Sequence, residues 1–382
     1  MLTQESQASA PASTIPPGAD QRVRISRVTP AGAATVVTAA LGALGLVWLL
    51  YEQMLAFSGV LGFWLSWYAV FVLLYAWMAW QQWGRREATD KAAVVAVTTA
   101  GLLSCAAVLG LVLFVLAKGF SAVRHLSFFT QSMAFAGPLS PLAAGGVLHA
   151  IAGTLEQIAL GTLFAVPLGL LAALFLAEVG GPDAQPIRVI VEAMTALPDV
   201  IAGLFIYALA ILTLGLQKSG LAAALALAVT MMPIVARASE LVLRLVPGTL
   251  QEGSYALGAS HWRTITHVVL PTARSGLATA VVLAMARGIG ETAPVLVVSG
   301  VTKEMNLSPL HGPQMSLPLF IWDYAHVEAV NQTVVTRAFG AGLTLVVVVV
   351  VLFAAARALG GNAPGELTRR QQRRLTRQAA RT

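Results

Sequence analysis

Two charged residues stand in an otherwise apolar stretch of this chain, Arg287 and Glu291 in the run Ala286-Arg287-Gly288-Ile289-Gly290-Glu291-Thr292-Ala293-Pro294. A charge at the centre of a bilayer costs at least about 2.5–3.5 kcal/mol, so an arginine at that depth faces protein, water or a counter-ion. The i, i+4 spacing predicts that the two side chains pair on one helix face. A guanidinium presents forked donors that match two oxygens of an oxyanion, and it does not lose its proton. The chemistry this supports is transient anion binding by Arg287, with Glu291 holding the guanidinium between visits so that no charge is stranded. An ion pair that only braces helices is the competing reading. Gly288 and Gly290 leave room for a neighbouring helix or the anion, Thr292 belongs to the same pathway, and Pro294 predicts a kink.

The other ionisable residues near apolar segments are read against this pair. Arg237, after Pro233, has Glu240 at i, i+3; it either lines an inner exit or snorkels to the interface. Acids on an anion route repel substrate, so Asp199, after Pro198, and Glu156 are expected to pair with basic residues on other helices or to cap local breaks. His149 and His261 lack partners for a metal site and are expected at the membrane interface, and the lone Cys105 is expected to pack inside a span. No His/Asp/Glu cluster has ligand spacing, and no cofactor is implied. The chain contains no Gly-x-x-x-x-Gly-Lys-Ser/Thr loop for ATP, and Gly288-Ile289-Gly290 is no dinucleotide fingerprint because no strand precedes it.

The elements that position these residues follow from composition. Of 382 residues, 57% are hydrophobic and 11% charged, against roughly 25% charged in soluble domains. Runs long enough to cross a ~30 Å hydrocarbon core fall near 31–51, 58–80, 92–117, 148–177, 189–214, 219–238, 275–300 and 334–357. Lipid satisfies no backbone polar group, and strands of this length are too long for a barrel, so the fold is all-α with about eight spans. Placing the N-terminus in the cytoplasm leaves only Lys118, Arg124, Lys218, Lys303 and Arg337 of 24 Lys and Arg outside, with Arg287 inside a span. Both termini are therefore expected in the cytoplasm. The net charge of +7 calls for anionic lipid headgroups rather than nucleic acid, the C-terminal tail being basic.

Texture divides the chain. Residues 1–29 are polar and Pro-rich and read as a disordered tail before an uncleaved anchor. Residues 30–91 form an accessory hairpin anchored by Trp48, Trp64, Trp67, Trp77, Trp80 and Trp83. From 92 to 357 the small residues Ala and Gly let helices approach closely, and 358–382 is a basic tail. The long segments 118–147 and 301–333 are connectors or a platform for an outer partner. The sequons at Asn306 and Asn331 are short enough to arise by chance. Between the sixth and seventh spans, Pro247 halts a helix and Thr249 with Glu252 forms a capping box that starts another. That helix ends at Gly258, and a second amphipathic turn runs through Trp262 to Pro271. The result is an elbow with Tyr255, Leu257 and Trp262 as apolar knobs.

Glu252, Gly258 and Leu270-Pro271 resemble the EAA loop of type I ABC importer permeases. The chain departs from that pattern at Gly253 and Ser254, where the family commonly has two alanines. Arg287 to Pro294 is similar to the segment that marks phosphate permeases, and its Thr-Ala-Pro ending is similar to PstA-type subunits. Gly203-Leu204-Phe205-Ile206-Tyr207, Met232-Pro233-Ile234-Val235-Ala236-Arg237, Leu245-Val246-Pro247 and Met315-Ser316-Leu317-Pro318 match as well, so the resemblance covers about 92–357. It implies a non-enzymatic permease subunit in a prokaryotic plasma membrane. The implied partners are a second, PstC-like permease, a homodimeric ATP-binding subunit that grips Glu252, Tyr255, Leu257, Gly258 and Trp262, and an extracytoplasmic phosphate-binding protein. Arg287, Glu291, Arg237, Gly288, Gly290 and Thr292 would line its pathway. The EAA-like loop by itself also allows molybdate or sulfate as substrate. A polytopic enzyme acting on lipid phosphates is the alternative from another class, and it lacks a nucleophile or metal cluster.

Overall fold

The computed structural model describes residues 30–54, 59–326 and 331–360; the expected terminal tails 1–29 and, beyond residue 360, the basic tail lie outside them. Fourteen α-helices are present among the described residues and no strand: α1 (Pro30–Leu49), α2 (Val60–Trp83), α3 (Arg85–Val123), α4 (Ser127–Thr130), α5 (Leu148–Glu178), α6 (Gly181–Ala196), α7 (Asp199–Ile206), α8 (Gly220–Arg244), α9 (Gly248–Ala256), α10 (His261–Thr264), α11 (Leu270–Gly290), α12 (Ala293–Ser299), α13 (Leu317–His326) and α14 (Gln332–Gly360). Seven continuous helices are long and apolar enough to cross a membrane, and a bent pair brings the number to eight. The chain is an all-α, multi-pass membrane protein.

Two expected spans differ from the structure. The fifth, near 189–214, is two helices, Gly181–Ala196 and Asp199–Thr213, bent by 105°. Proline explains the break: Leu197, which precedes Pro198, is extended, because the proline ring disfavours helical backbone in the residue before it. The seventh, expected at 275–300, runs as one helix from His261 to Gly290. Pro271 sits at a first-turn position of α11, where its missing N–H costs little, so the helix runs through it without a break. The chain breaks instead at Glu291, which is extended, and Pro294 opens α12 rather than kinking a continuous helix.

The chain forms two compact units, Met1–Leu109 and Gly110–Thr382. In the first, Ala39 and Ala43 of α1 pack with Phe71 and Tyr75 of α2. The indole of Trp67 donates to the Ala40 carbonyl at 3.1 Å, and Lys91 lies 3.7 Å over the Trp83 ring. Cys105, expected to pack, is exposed, on a helix whose apolar window has no buried residue.

In the second unit the core is built on close contact between α5 and α8. A β-carbon at Gly161 would meet the Ala224 carbonyl at 3.2 Å, and one at Gly169 would meet Val235 at 2.7 Å. Ala222, Ala223, Ala224, Ala226 and Ala236 are buried on α8. Without a hydrophobic drive inside lipid, such small residues let van der Waals packing hold helices together.

The segment before α13 is locked onto α5. Gly153 admits the Met315 carbonyl so closely that a β-carbon would lie 2.0 Å from it. The hydroxyl of Thr154 accepts from the Leu317 N–H at 2.7 Å. Gln157 donates to Gln314 Oε1 at 3.1 Å, and Gln314 donates to Glu156 at 2.7 Å. Glu156, expected to pair with a basic residue or to cap a local break, receives the Gln314 amide. Asn306 uses its side chain inside the same loop, donating to the carbonyls of His311, Gly312 and Pro313.

Candidate functional site

Two helix ends meet around Arg287. It lies in the last turn of α11, one turn before the break, where a cation is favoured by the carbonyls of a helix C-terminus. Asp199 is in the first turn of α7, where the N–H groups favour an anion. The guanidinium Nη2 stands 3.0 Å from Asp199 Oδ2 and its Nε 3.3 Å from Glu291 Oε1. The expected Arg287–Glu291 pair therefore forms, although Glu291 has left the helix. The expected partnering of Asp199 with a basic residue on another helix also forms, and Asp199 begins the helix after the Pro198 break as well.

This cluster opens into a cleft of about 100 Å³ lined by Thr195, Asp199, Val229, Thr230, Pro233 and Arg287, among others. Half of the Arg287 side chain is exposed, at 53%. Pro233 lies inside α8, and its ring takes away the donor that would bond the carbonyl of Val229 one turn back. Both residues line the cleft, with Thr195, Thr230, Asp199 and Arg287 as its polar residues. Glu291 is outside the cleft lining, beside a cavity of about 10 Å³ with Thr154, Gln157 and Ser316. That is room for about one water.

The glycines divide. A β-carbon at Gly288 would meet Met231 Sδ at 2.6 Å and Ile158 at 3.0 Å, whereas nothing lies within 4 Å of Gly290; close approach is needed only at the first. Thr292 caps nothing with its side chain, and its carbonyl accepts from Leu296 N–H at 2.9 Å. Gly203 is the unforeseen member: a β-carbon there would lie 2.7 Å from Pro294 Cα and O. Gly203→Ala is expected to force α7 away from α12 and to cost about 1–3 kcal/mol, read as a lowered Tm of the purified protein; an unchanged Tm would mean the two helices separate freely.

Arg237 does not pair with Glu240. It reaches Glu192 on α6 at 3.1 Å, while Glu240 is buried at 5% exposure and takes Arg188 at 3.0 Å and Arg244 at 2.9 Å. An i, i+3 spacing allows a contact but does not compel it when another helix offers charge. Arg237 is absent from the cleft lining around Arg287. His149, in the first turn of α5, is 2% exposed, with its ring 5.7 Å from that of Phe320. Among the described residues no group of three His, Cys, Asp or Glu is placed to hold a metal ion.

The elbow has the expected outline with different fastenings. α9 starts directly after Pro247 with no side-chain cap, so Thr249 and Glu252 form no capping box. Gly258 takes φ +81°, the left-handed conformation that ends a helix most cheaply at glycine. Tyr255 Oη is 2.8 Å from His261 Nδ1 with the rings stacked, and Ser254 Oγ is 2.9 Å from Thr264 Oγ1. Ser254, a departure from the two-alanine pattern, thus ties α9 to the next helix. Leu257 is 91% exposed and Trp262 71%, and Glu252 is exposed as well.

Residues 165–361 match the family model described as binding-protein-dependent transport system inner membrane component, and the chain belongs to that family of membrane transport permeases. It is similar to the phosphate transport system permease protein PstA 1 of Mycobacterium tuberculosis (strain CDC 1551 / Oshkosh), with 40% identity over 273 residues, 71% of this chain and 88% of that one. The PstA protein of Mycobacterium leprae (strain TN) is 39% identical over 266 residues, 69% of this chain and 86% of that one. Among solved structures, one described as an inward-facing conformation of the MetNI methionine ABC transporter aligns with a TM-score of 0.45 at 22% identity, covering 56% of this chain and 93% of that one.

Proposed function

We propose that this chain is the membrane-spanning permease subunit of an ATP-driven phosphate importer and forms half of its translocation pathway. The observation that carries the reading is Arg287, half exposed in a cleft at a break between helices and held there by Asp199 and Glu291. The 40% identity to a phosphate permease over 88% of its length supports the substrate. Discontinuous helices whose ends converge on charge are a recurrent way to build a transport site within a membrane. An arriving oxyanion takes over the guanidinium donors from a carboxylate, and differential contact in outward- and inward-open states lets the site release it.

The chain itself carries out no covalent step in this reading; ATP is hydrolysed by a homodimeric partner. Both termini face the cytoplasm of a prokaryotic cell, a PstC-like permease completes the pathway, and an extracytoplasmic phosphate-binding protein delivers the anion. Residues 30–91 are an accessory hairpin and residues 92–357 the permease core. The elbow through Glu252, Tyr255, Leu257, Gly258 and Trp262 is the EAA-like coupling element. The exposed Leu257 and Trp262 support it, since they leave apolar side chains of the elbow uncovered by the chain's own core. The reading is tested by ATP-dependent uptake of labelled phosphate into vesicles holding the assembled transporter, competed with arsenate, sulfate and molybdate. Competition by arsenate alone is expected, and preferred uptake of molybdate or sulfate would replace phosphate as substrate.

Leu257→Asp tests the elbow separately. It is expected to cut phosphate uptake about tenfold or more while the chain's Tm stays unchanged, because Leu257 contributes little to the chain's own core. Full uptake with the ATPase still bound would place the coupling elsewhere.

A further inference from the structure

Resting on the pathway reading above, one oddity of the Arg287 cluster calls for a cause: it holds two carboxylates against one guanidinium. A route for an anion gains nothing from a surplus acid, since a carboxylate repels a bare oxyanion. The two acids are placed differently. Glu291 is outside the cleft lining, with 16% of its side chain exposed, and one acid is enough to hold the guanidinium between substrates. Asp199, 31% exposed, lines the cleft beside Arg287. Any tetrahedral anion that reaches the guanidinium from the cleft therefore meets a carboxylate oxygen next to it.

A carboxylate only accepts hydrogen bonds. It is tolerable beside an oxyanion in one circumstance, when that anion carries a hydroxyl to donate. Phosphate and arsenate keep at least one proton near neutral pH; sulfate, molybdate and monofluorophosphate keep none. We propose that Asp199 is a specificity-determining residue that accepts the P–OH hydrogen of phosphate while Arg287 binds its unprotonated oxygens, so that the permease rejects tetrahedral anions lacking a proton. The pair reads both halves of the ligand, donors for the oxyanion edge and an acceptor for the hydroxyl. Discrimination then belongs to the permease itself and operates on whatever anion is delivered to it.

The test uses protection of a cysteine in the cleft, which needs no delivery protein. In the complete transporter, Cys105→Ser removes this chain's one native thiol, and Thr195→Cys, exposed and in the cleft lining, reports occupancy by the rate at which this chain is labelled with a charged thiol reagent. Phosphate and arsenate are expected to protect at concentrations at least about tenfold below those of sulfate and monofluorophosphate, the effect of one hydrogen bond to a charged group. Asp199→Asn, whose amide also donates, brings sulfate to within about threefold of phosphate, and Asp199→Glu keeps the wild-type order. Equal protection by phosphate and sulfate in the wild type, or an unchanged ratio in Asp199→Asn, overturns the proposal and leaves the pathway reading standing. No protection by phosphate, or full protection in Arg287→Gln, overturns both.

Discussion

Arg287→Gln is expected to lower phosphate uptake roughly 100-fold or more, with the complex assembled as in the wild type. The magnitude follows from what is lost. Truncating one partner of a hydrogen-bonded charge pair costs about 2–5 kcal/mol, and here the missing group is also the only cation lining the cleft among the described residues. Assembly survives because the side chain is half exposed and its ion pairs, to Asp199 and Glu291, lie within this chain. Glutamine is long enough to hydrogen-bond to one of them. Arg287→Lys retains the charge without the planar fork and is expected to give intermediate uptake, since a point charge matches two oxyanion oxygens less well. Radiolabelled uptake per assembled complex checks both. Normal uptake in Arg287→Gln with a lowered Tm would reduce the residue to a helix brace.

The second large effect is structural and lies at Arg337. This side chain is fully buried, at 0% exposure, and no carboxylate reaches it among the described residues. Its Nη atoms donate instead to the carbonyls of Gly137, Pro138, Ser140, Pro141 and Ala144, four of them at 2.8–3.2 Å. One guanidinium therefore gathers an irregular segment whose own backbone bonds are few, Ser140 N–H to the Gly137 carbonyl and Ala144 N–H to the Pro141 carbonyl among them, and supplies donors to carbonyls that no helix or strand would satisfy. Arg337→Met fills similar space but removes all of these guanidinium donors, at a cost of roughly 3 kcal/mol or more. The expected outcome is a lowered Tm and proteolytic cleavage within 131–147, and Arg337→Lys, with three donors, is expected to recover part of the loss. Resistance of that segment to protease in Arg337→Met would show that it folds without the arginine.

How much of this was legible depends on whether the signal was local. Composition and run length gave the all-α membrane architecture, because the bilayer admits few alternatives. The Arg287–Glu291 pair could be read from spacing alone. Pro198 signalled a break, and Asp199 after it a charge needing a partner, but not which one; that partner is 88 residues away. Arg237 shows the opposite failure. Glu240 at i, i+3 is a local candidate, and Glu192 on another helix takes the guanidinium instead. Arg337 gave no signal either, since carbonyl acceptors are present at every residue and only the fold decides which converge. The role of Gly203 was hidden for the same reason: its need for a missing side chain comes from the Pro294 backbone packed against it.

The central claim is that an oxyanion visits Arg287. Dipolar dephasing between ³¹P of phosphate and ¹⁵N of labelled arginine, measured on the assembled transporter arrested with a non-hydrolysable ATP analogue, tests it most directly. The account predicts guanidinium dephasing that appears only when phosphate is added to the analogue-arrested complex and that disappears in Arg287→Gln. Phosphate-dependent dephasing that persists in that variant, or none in the wild type at saturating phosphate, would contradict it.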